Sequence, residues 1–231
     1  MYVGYLNTLR GITSKQDPFK RDSEYIGILE HVSLGFGEAY LDLLRSEFAM
    51  TNETVEAFCD QNDSFGSPNV FPIRDLARPV SPTSLRYLYH ASLILKHAKG
   101  ADRFVEVGAG YGGLCMAIQY LSKTPVREYH VLDLDEAVRL QQMVLAEYTN
   151  VHYHSSSTFG ANVPEGCFFV SNYCFSEIAM DLQRQYISNL IVRCEHGFLA
   201  WNTIPCYDIG KPSTVEDERP LTFGGNYFVY F

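Results

Sequence analysis

The 231-residue sequence contains no apolar run approaching the roughly 18 residues of a membrane-crossing helix, so no membrane span is expected. Its N-terminus, MYVGYLNTLRGITSK, lacks the apolar core of a secretion signal. It also lacks any cluster of lysine and arginine. With a net charge of −9, a nucleic-acid or anionic-membrane surface is not expected. Six cysteines form no C-x-x-C pair, which argues against a disulfide framework or a zinc knuckle and for reduced, buried thiols in a cytoplasmic protein. His152 and His154 share a strand face, but no third ligand completes a set, so no metal is expected. Tryptophan occurs once, at Trp201. There is no internal repeat, heptad array or low-complexity tract.

What is present is a globular composition, 46% hydrophobic and 14% aromatic, enough for one α/β domain with a small helical cap. Residues 1–22 read as an irregular lead-in. Residues 24–50 read as two helices broken at Gly35 and Gly37, and residues 60–82 as a polar loop. The stretch SPTSLRYLYHASLILKHAKG reads as a helix with Pro82 in its first turn and Gly100 at its end. Beyond Gly100 short β-rich runs alternate with helix-length segments, the pattern of a parallel sheet with crossover helices. Strands are expected at 103–107, 128–133, 151–154, 167–172, 197–202 and 227–231, and helices near 112–122, 136–148 and 176–194. Residues 205–222, with three prolines and the run Glu216-Asp217-Glu218, read as a long loop or lid.

The most informative stretch is FVEVGAGYGG, Phe104 to Gly113. Glycines after a first strand let the backbone approach a ligand and aim helix N–H groups at it. About 20 residues on, Asp133 closes the strand in HVLDLDEA, where an acid accepts hydrogen bonds from both hydroxyls of a ribose. Glu106, just before the loop, would repel a pyrophosphate and suit a cation. That favours S-adenosyl-L-methionine, a sulfonium with no phosphate, over a dinucleotide.

VEVGAGYGG followed by VLDLDEA resembles the first two motifs of class I S-adenosylmethionine-dependent methyltransferases. SPTSLRYLYHA, SNYCFSEIA and ERPLTFGGNYFVYF are similar to one branch of them, the sugar O-methyltransferases, over about residues 80 to 231. The resemblance implies a Rossmann-like, mostly parallel seven-stranded α/β sheet in the order 3-2-1-4-5-7-6 with strand 7 antiparallel. It implies an N-terminal helical cap over residues 1–80 and a methyltransferase domain over 81–231. The expected reaction moves a methyl group from S-adenosyl-L-methionine to a sugar hydroxyl of a glycan, for example on a deoxyhexose such as rhamnose, leaving S-adenosyl-L-homocysteine. A methyltransferase domain of a large chlorovirus glycan-building protein is similar, so the chain is expected to be a domain of such a protein.

By the same resemblance the cofactor is held by Glu106, Gly108, Ala109, Gly110, Tyr111, Gly112, Asp133, Leu134, Ser155, Ser156 and Asn172, with Arg86 and Tyr87 from the preceding helix. Glu177, Asn172 and His90 are the candidate catalytic groups, with Glu177 in the first turn of a helix. Tyr173, Ser176, Trp201 and Asn202 are the candidate acceptor contacts. Two other readings stay open. Tyr207 and Lys211 have the Y-x-x-x-K spacing of short-chain NAD(P)-dependent oxidoreductases, although Pro205, Gly210 and Pro212 oppose the helix that this pair needs. The other is a non-catalytic, methyltransferase-like module in glycan assembly.

Overall fold

A computed structural model describes residues 2–231. The chain forms two compact units. A helical unit holds the segment up to Leu93 with Gly110–Leu121 and Arg139–Glu147; a sheet unit holds Ile94–Ala109, Ser122–Val138 and Tyr148–Phe231.

The sheet unit is built on β1 (Arg103–Val107), β2 (Glu128–Asp133), β3 (Val151–Ser155), β4 (Phe168–Asn172), β5 (Gly197–Trp201), β6 (Thr214–Asp217) and β7 (Tyr227–Tyr230). Their order is β3-β2-β1-β4-β5-β7-β6. The first five pair in parallel and β7 runs antiparallel to both neighbours, which is the expected topology. The central strands read as continuous apolar runs because both faces are covered, and Phe104 to Val107 are all buried. One face packs Val105, Val107, Phe169, Leu199 and Trp201 against Tyr186 and Leu190. Tyr186 belongs to α8 (Met180–Asn189).

Strand β6 corrects the reading of residues 205–222 as loop throughout. All four of its residues are exposed, so no alternation marks it, and backbone pairing with β7 alone makes it a strand.

The helical unit corrects three further expectations. Residues 2–11 form α1 (Tyr2–Gly11), which buries Tyr5 and Leu9, rather than an irregular lead-in. After α2 (Ser23–Ile28) comes α3 (Leu34–Phe48), which runs through Gly35 and Gly37 unbroken. Asp22 and Ser33 cap the two helices by accepting from backbone N–H groups, so the break falls before Ser33. A Cβ on Gly37 would stand 2.9 Å from Pro82 Cβ, so this glycine marks close packing, not a helix end. Helix α4 (Asn52–Asp63), capped by Thr51, covers a stretch with no expected element and the first residues of the expected loop. Helix α5 (Pro82–His97) begins at Pro82 as expected. Helix α6 (Gly113–Leu121) falls within its expected segment, and α7 (Asp135–Val144) begins one residue before its own and ends four short of it.

Among the described residues no helix is long and apolar enough to cross a membrane. Cys59, Cys115, Cys167 and Cys194 are buried, Cys174 and Cys206 half-buried, and no disulfide joins them.

Candidate functional site

The glycine loop leaves β1 at Val107 and enters α6 at Gly113. Gly108 donates its N–H to Leu132 O at 2.9 Å, which fastens the start of the loop to β2. Gly108, Gly110 and Gly112 have φ of +78°, +59° and +99°, values that L side chains rarely adopt. A second constraint comes from the protein itself. A Cβ on Gly108 would stand 2.3 Å from Cys174 Sγ, and one on Gly110 3.0 Å from Leu29 Cδ1. The loop therefore gives up side chains to its own neighbours as well as to any ligand. Ala109 and Tyr111 are buried. Tyr111 exchanges hydrogen bonds with Asn62, and Lys20 Nζ lies 4.0 Å above its ring. It thus anchors the loop and offers no side chain to a ligand.

Val107 and Leu132 are in register, so the next residues, Gly108 and Asp133, lie side by side at the carboxyl ends of adjacent strands. Asp133 Oδ1 accepts from Leu134 N at 2.8 Å, and its register partner is Ser155. Leu134 is 37% exposed, just before α7. Ser155 and Ser156 are half-buried; Ser155 Oγ shares a hydrogen bond with Ser157 Oγ, and Ser156 O accepts from Tyr186. These are the groups that could face a nucleoside.

Glu106 corrects the charge argument. It is 1% exposed, and Tyr129 Oη donates to its Oε2 at 2.8 Å. Burial pushes its carboxyl up to about 8, against the lowering hydrogen bond from Tyr129 and with help from the Asp133 charge. Burial thus favours its neutral form, which weakens the argument that its charge selects a cation over a pyrophosphate. The sequence shows an acid there but not its desolvation.

At the ends of β4 and β5 side chains hold one another. Ser171 Oγ accepts from Phe175 N at 3.0 Å and donates to Val107 O at 2.9 Å, folding the chain after β4 back towards β1. Asn172 is half-buried at the strand end, and Tyr173 follows with φ of +61°. Residues Phe175–Glu177 form a 3-10 turn, and α8 starts only at Met180. Glu177 is thus not, as expected, in the first turn of that helix but in the turn before it. It is exposed and accepts from Asn202 Nδ2. Asn202 N in turn donates to Ser176 Oγ at 3.2 Å, while Asn202 Oδ1 is buried with no hydrogen-bond partner. An unmet acceptor beside a carboxylate is a place for a ligand O–H or N–H.

Glu218 joins this constellation and was hidden in an acid run that reads as a solvated loop. It is 1% exposed and accepts from Tyr173 Oη, from Thr222 N at 2.8 Å and Oγ1 at 2.6 Å, and from Asn226 Nδ2 at 3.1 Å. It ties the segment before β7 to the tip of β4. The four-residue spacing of Glu218, Thr222 and Asn226 is the only trace of this in the sequence.

Several expected contacts are located elsewhere. Trp201 is 1% exposed, packs edge-on against Tyr207 and donates to Ile204 O at 2.8 Å; it is a core residue with no face for a sugar. His90 is fully buried in the helical unit with its ring against Tyr40 and Tyr89, so no acceptor reaches it there. Tyr87 packs edge-on against Tyr111. Arg86 is 4% exposed, donates to Leu29 O at 2.9 Å and lies in the field of Glu30. Tyr207 and Lys211 lie in irregular chain, not on a helix; Tyr207 donates to Gln183 Oε1 and Lys211 to Val192 O. The catalytic pair of a short-chain oxidoreductase is therefore not formed. His130 joins the two strand histidines, with Nδ1 3.0 Å from His154 Nε2 and its ring stacked on His152. Among the described residues no group of three or more His, Cys, Asp and Glu side chains is arranged to hold a metal ion.

No family model and no curated protein matches the chain. Solved structures with a similar trace include PigF with SAH, at 10% identity and a TM-score of 0.44 over 90% of this chain and 71% of that one. Another is TrmN from Thermus thermophilus, at 16% identity and 0.48 over 68% of this chain and 53% of that one. A third is CalS10, an amino pentose methyltransferase from Micromonospora echinaspora with SAM bound, at 13% identity and 0.42 over 57% of this chain and 56% of that one. The chain spans about half the length of the last two. Likenesses at this level carry neither residues nor activity across.

Proposed function

We propose that the chain is an S-adenosyl-L-methionine-dependent O-methyltransferase acting on a sugar hydroxyl of a glycan or glycoconjugate. One observation carries the reading. Gly108 and Asp133 stand side by side at the strand ends of a sheet whose order reverses between β1 and β4, where open α/β sheets bind ligands. The residues fit the cofactor. Asp133 supplies acceptors for a ribose, the positive-φ glycines bring backbone close, and Leu134, Ser155 and Ser156 border the base. Resemblance supports the sugar acceptor and membership of a larger glycan-building protein, and six cysteines without paired spacing support a cytoplasmic location.

When bound, the cofactor supplies an electrophilic methyl group on a sulfonium. The chain's own task is to place a hydroxyl in line with it, and orientation of this kind is worth on the order of 7–11 kcal/mol. In this reading Asn172 and the Glu177–Asn202 pair hold the acceptor hydroxyl. Asn202 Oδ1 takes a hydrogen bond, and Glu177 orients the reacting hydroxyl or receives its proton. Glu218 keeps Tyr173 in place beside them. Incubation with the cofactor and a panel of glycans, read by mass spectrometry, tests this. A gain of one methyl group on a sugar is the expected result, and binding of cofactor with no methylation of any sugar would refute the sugar assignment.

A further inference from the structure

The helical unit contains a cavity of about 210 Å³ that none of the roles above uses, lined in part by Ile26, Glu30, His31, Asn69, Phe71 and Thr83. A cavity of about 150 Å³ holds a benzene-sized ring, so this is room for one small ring. The wall is mixed: Ile26 and Phe71 are apolar, and Asn69 and Thr83 bring an amide and a hydroxyl. Phe71 is 38% exposed, so its ring is open to contact.

Glu30 is the unusual member. Its Oε1 exposes less than 1 Å² and has no hydrogen-bond partner, while the carboxyl takes a long contact, 3.5 Å, from Ser81 Oγ to Oε2 and a hydrogen bond from the Thr83 side chain. A buried acceptor left this way calls for a donor. Charge decides which kind. Lys20 and Arg86 already oppose Glu30 and Asp63, two cations against two acids, so the group needs no further cation. Burial also raises the Glu30 carboxyl, against the pull of Lys20 and Arg86. A neutral hydroxyl satisfies Glu30 without disturbing that balance. An apolar ring beside scattered polar groups is the recognition chemistry of a polyhydroxylated ring, which has C–H faces and O–H edges.

Position adds a second argument. Leu29, the residue before Glu30, is the side chain that packs on Gly110 of the glycine loop, and its carbonyl accepts from Arg86 Nη2. One short segment thus covers the loop with one residue and lines the cavity with the next. We propose that this cavity holds one neutral sugar ring, with Phe71 against its C–H face and Glu30 accepting one of its hydroxyls. The binding of a sugar ring does not rest on the methyltransferase reading.

The test uses the full chain, ligand-observed NMR and calorimetry, with methyl glycosides of rhamnose, glucose, mannose and galactose and with tetramethylammonium as a cationic probe. At least one glycoside should bind in the millimolar range. Phe71→Ala and Glu30→Gln should each weaken it tenfold or more, with affinity for S-adenosylhomocysteine within twofold of wild type. Phe71 is partly exposed, so its variant should fold even if Glu30→Gln does not. No glycoside binding at tens of millimolar, binding untouched by Phe71→Ala, or preference for tetramethylammonium would each overturn the proposal. Loss of S-adenosylhomocysteine binding in the wild type would instead sink the methyltransferase reading and leave the sugar pocket standing.

Discussion

The two ends of the strand edge in the sheet unit are built differently. At β1 and β2 backbone N–H groups do the holding, Gly108 N on Leu132 O and Leu134 N on Asp133 Oδ1, with Glu106 buried beneath. At β4 and β5 side chains enter these contacts: Glu177 with Asn202 and Tyr173 with Glu218 pair side chain to side chain, and Ser176 Oγ accepts from Asn202 N. A backbone-built end keeps its shape whatever sits beside it, which suits a ligand that is the same in every turnover. A side-chain-built end can re-pair when a new hydroxyl arrives, which suits an acceptor. The proposed function assigns cofactor to the first end and acceptor to the second.

The strongest way to break that division is at Gly108. Gly108→Val places a branched Cβ at φ +78° and 2.3 Å from Cys174 Sγ, so a loss of about 3 kcal/mol or more in stability is expected, with loss of cofactor binding. Urea denaturation measures it. Gly108→Ala with Cys174→Gly removes the clash and should leave only the backbone strain, about 1–2 kcal/mol. If the double variant is no more stable than Gly108→Ala alone, Cys174 is not what fills that space.

The second test probes the acceptor end. Glu177→Gln should lower kcat by roughly 10²-fold if the carboxylate receives the proton, and leave S-adenosylhomocysteine affinity alone. A near-normal kcat would restrict Glu177 to orienting the hydroxyl with Asn202. At the cofactor end Asp133→Ala should weaken S-adenosylhomocysteine roughly 10–100-fold, the equivalent of one charged hydrogen bond of about 1.5–3 kcal/mol, with kcat at saturation little changed. Equal effects of the two substitutions on both constants would erase the distinction between the ends.

Much of this architecture is legible in residue order. Arg103–Val107 and Glu128–Asp133 are apolar runs closed by glycine or acid, Pro82 starts α5, and the proline-rich stretch after β5 keeps Tyr207 and Lys211 off any helix. What escapes is set by neighbours distant in sequence. Thr214–Asp217 is a strand only because β7 pairs with it, and Gly37 sits inside a helix because Pro82 presses on it. Glu218 looks like one more solvated acid until four donors converge on it. Trp201 and Glu106 show the limit most plainly, since residue type suggests a ligand contact in each and burial takes it away.

A further expected effect, spread over several pH units, concerns Glu106. Its folded carboxyl titrates near 8, above the value near 4.5 of an exposed glutamate, so the folded chain binds the extra proton between those limits. The associated stability is complete below about pH 4.5 and is lost as pH rises through 8, at up to about 1.4 kcal/mol per pH unit. Thermal melts from pH 5 to 9 should show that decline, and Glu106→Gln should flatten it. A wild-type profile equally flat would mean that Glu106 is ionised in the fold.

Calorimetric titration of the wild-type chain with S-adenosylhomocysteine, run beside NADH, tests the central claim most directly. The account predicts a micromolar, one-to-one isotherm with S-adenosylhomocysteine and no heat of binding with NADH. Silence with S-adenosylhomocysteine, or saturable binding of NADH in its place, would contradict it.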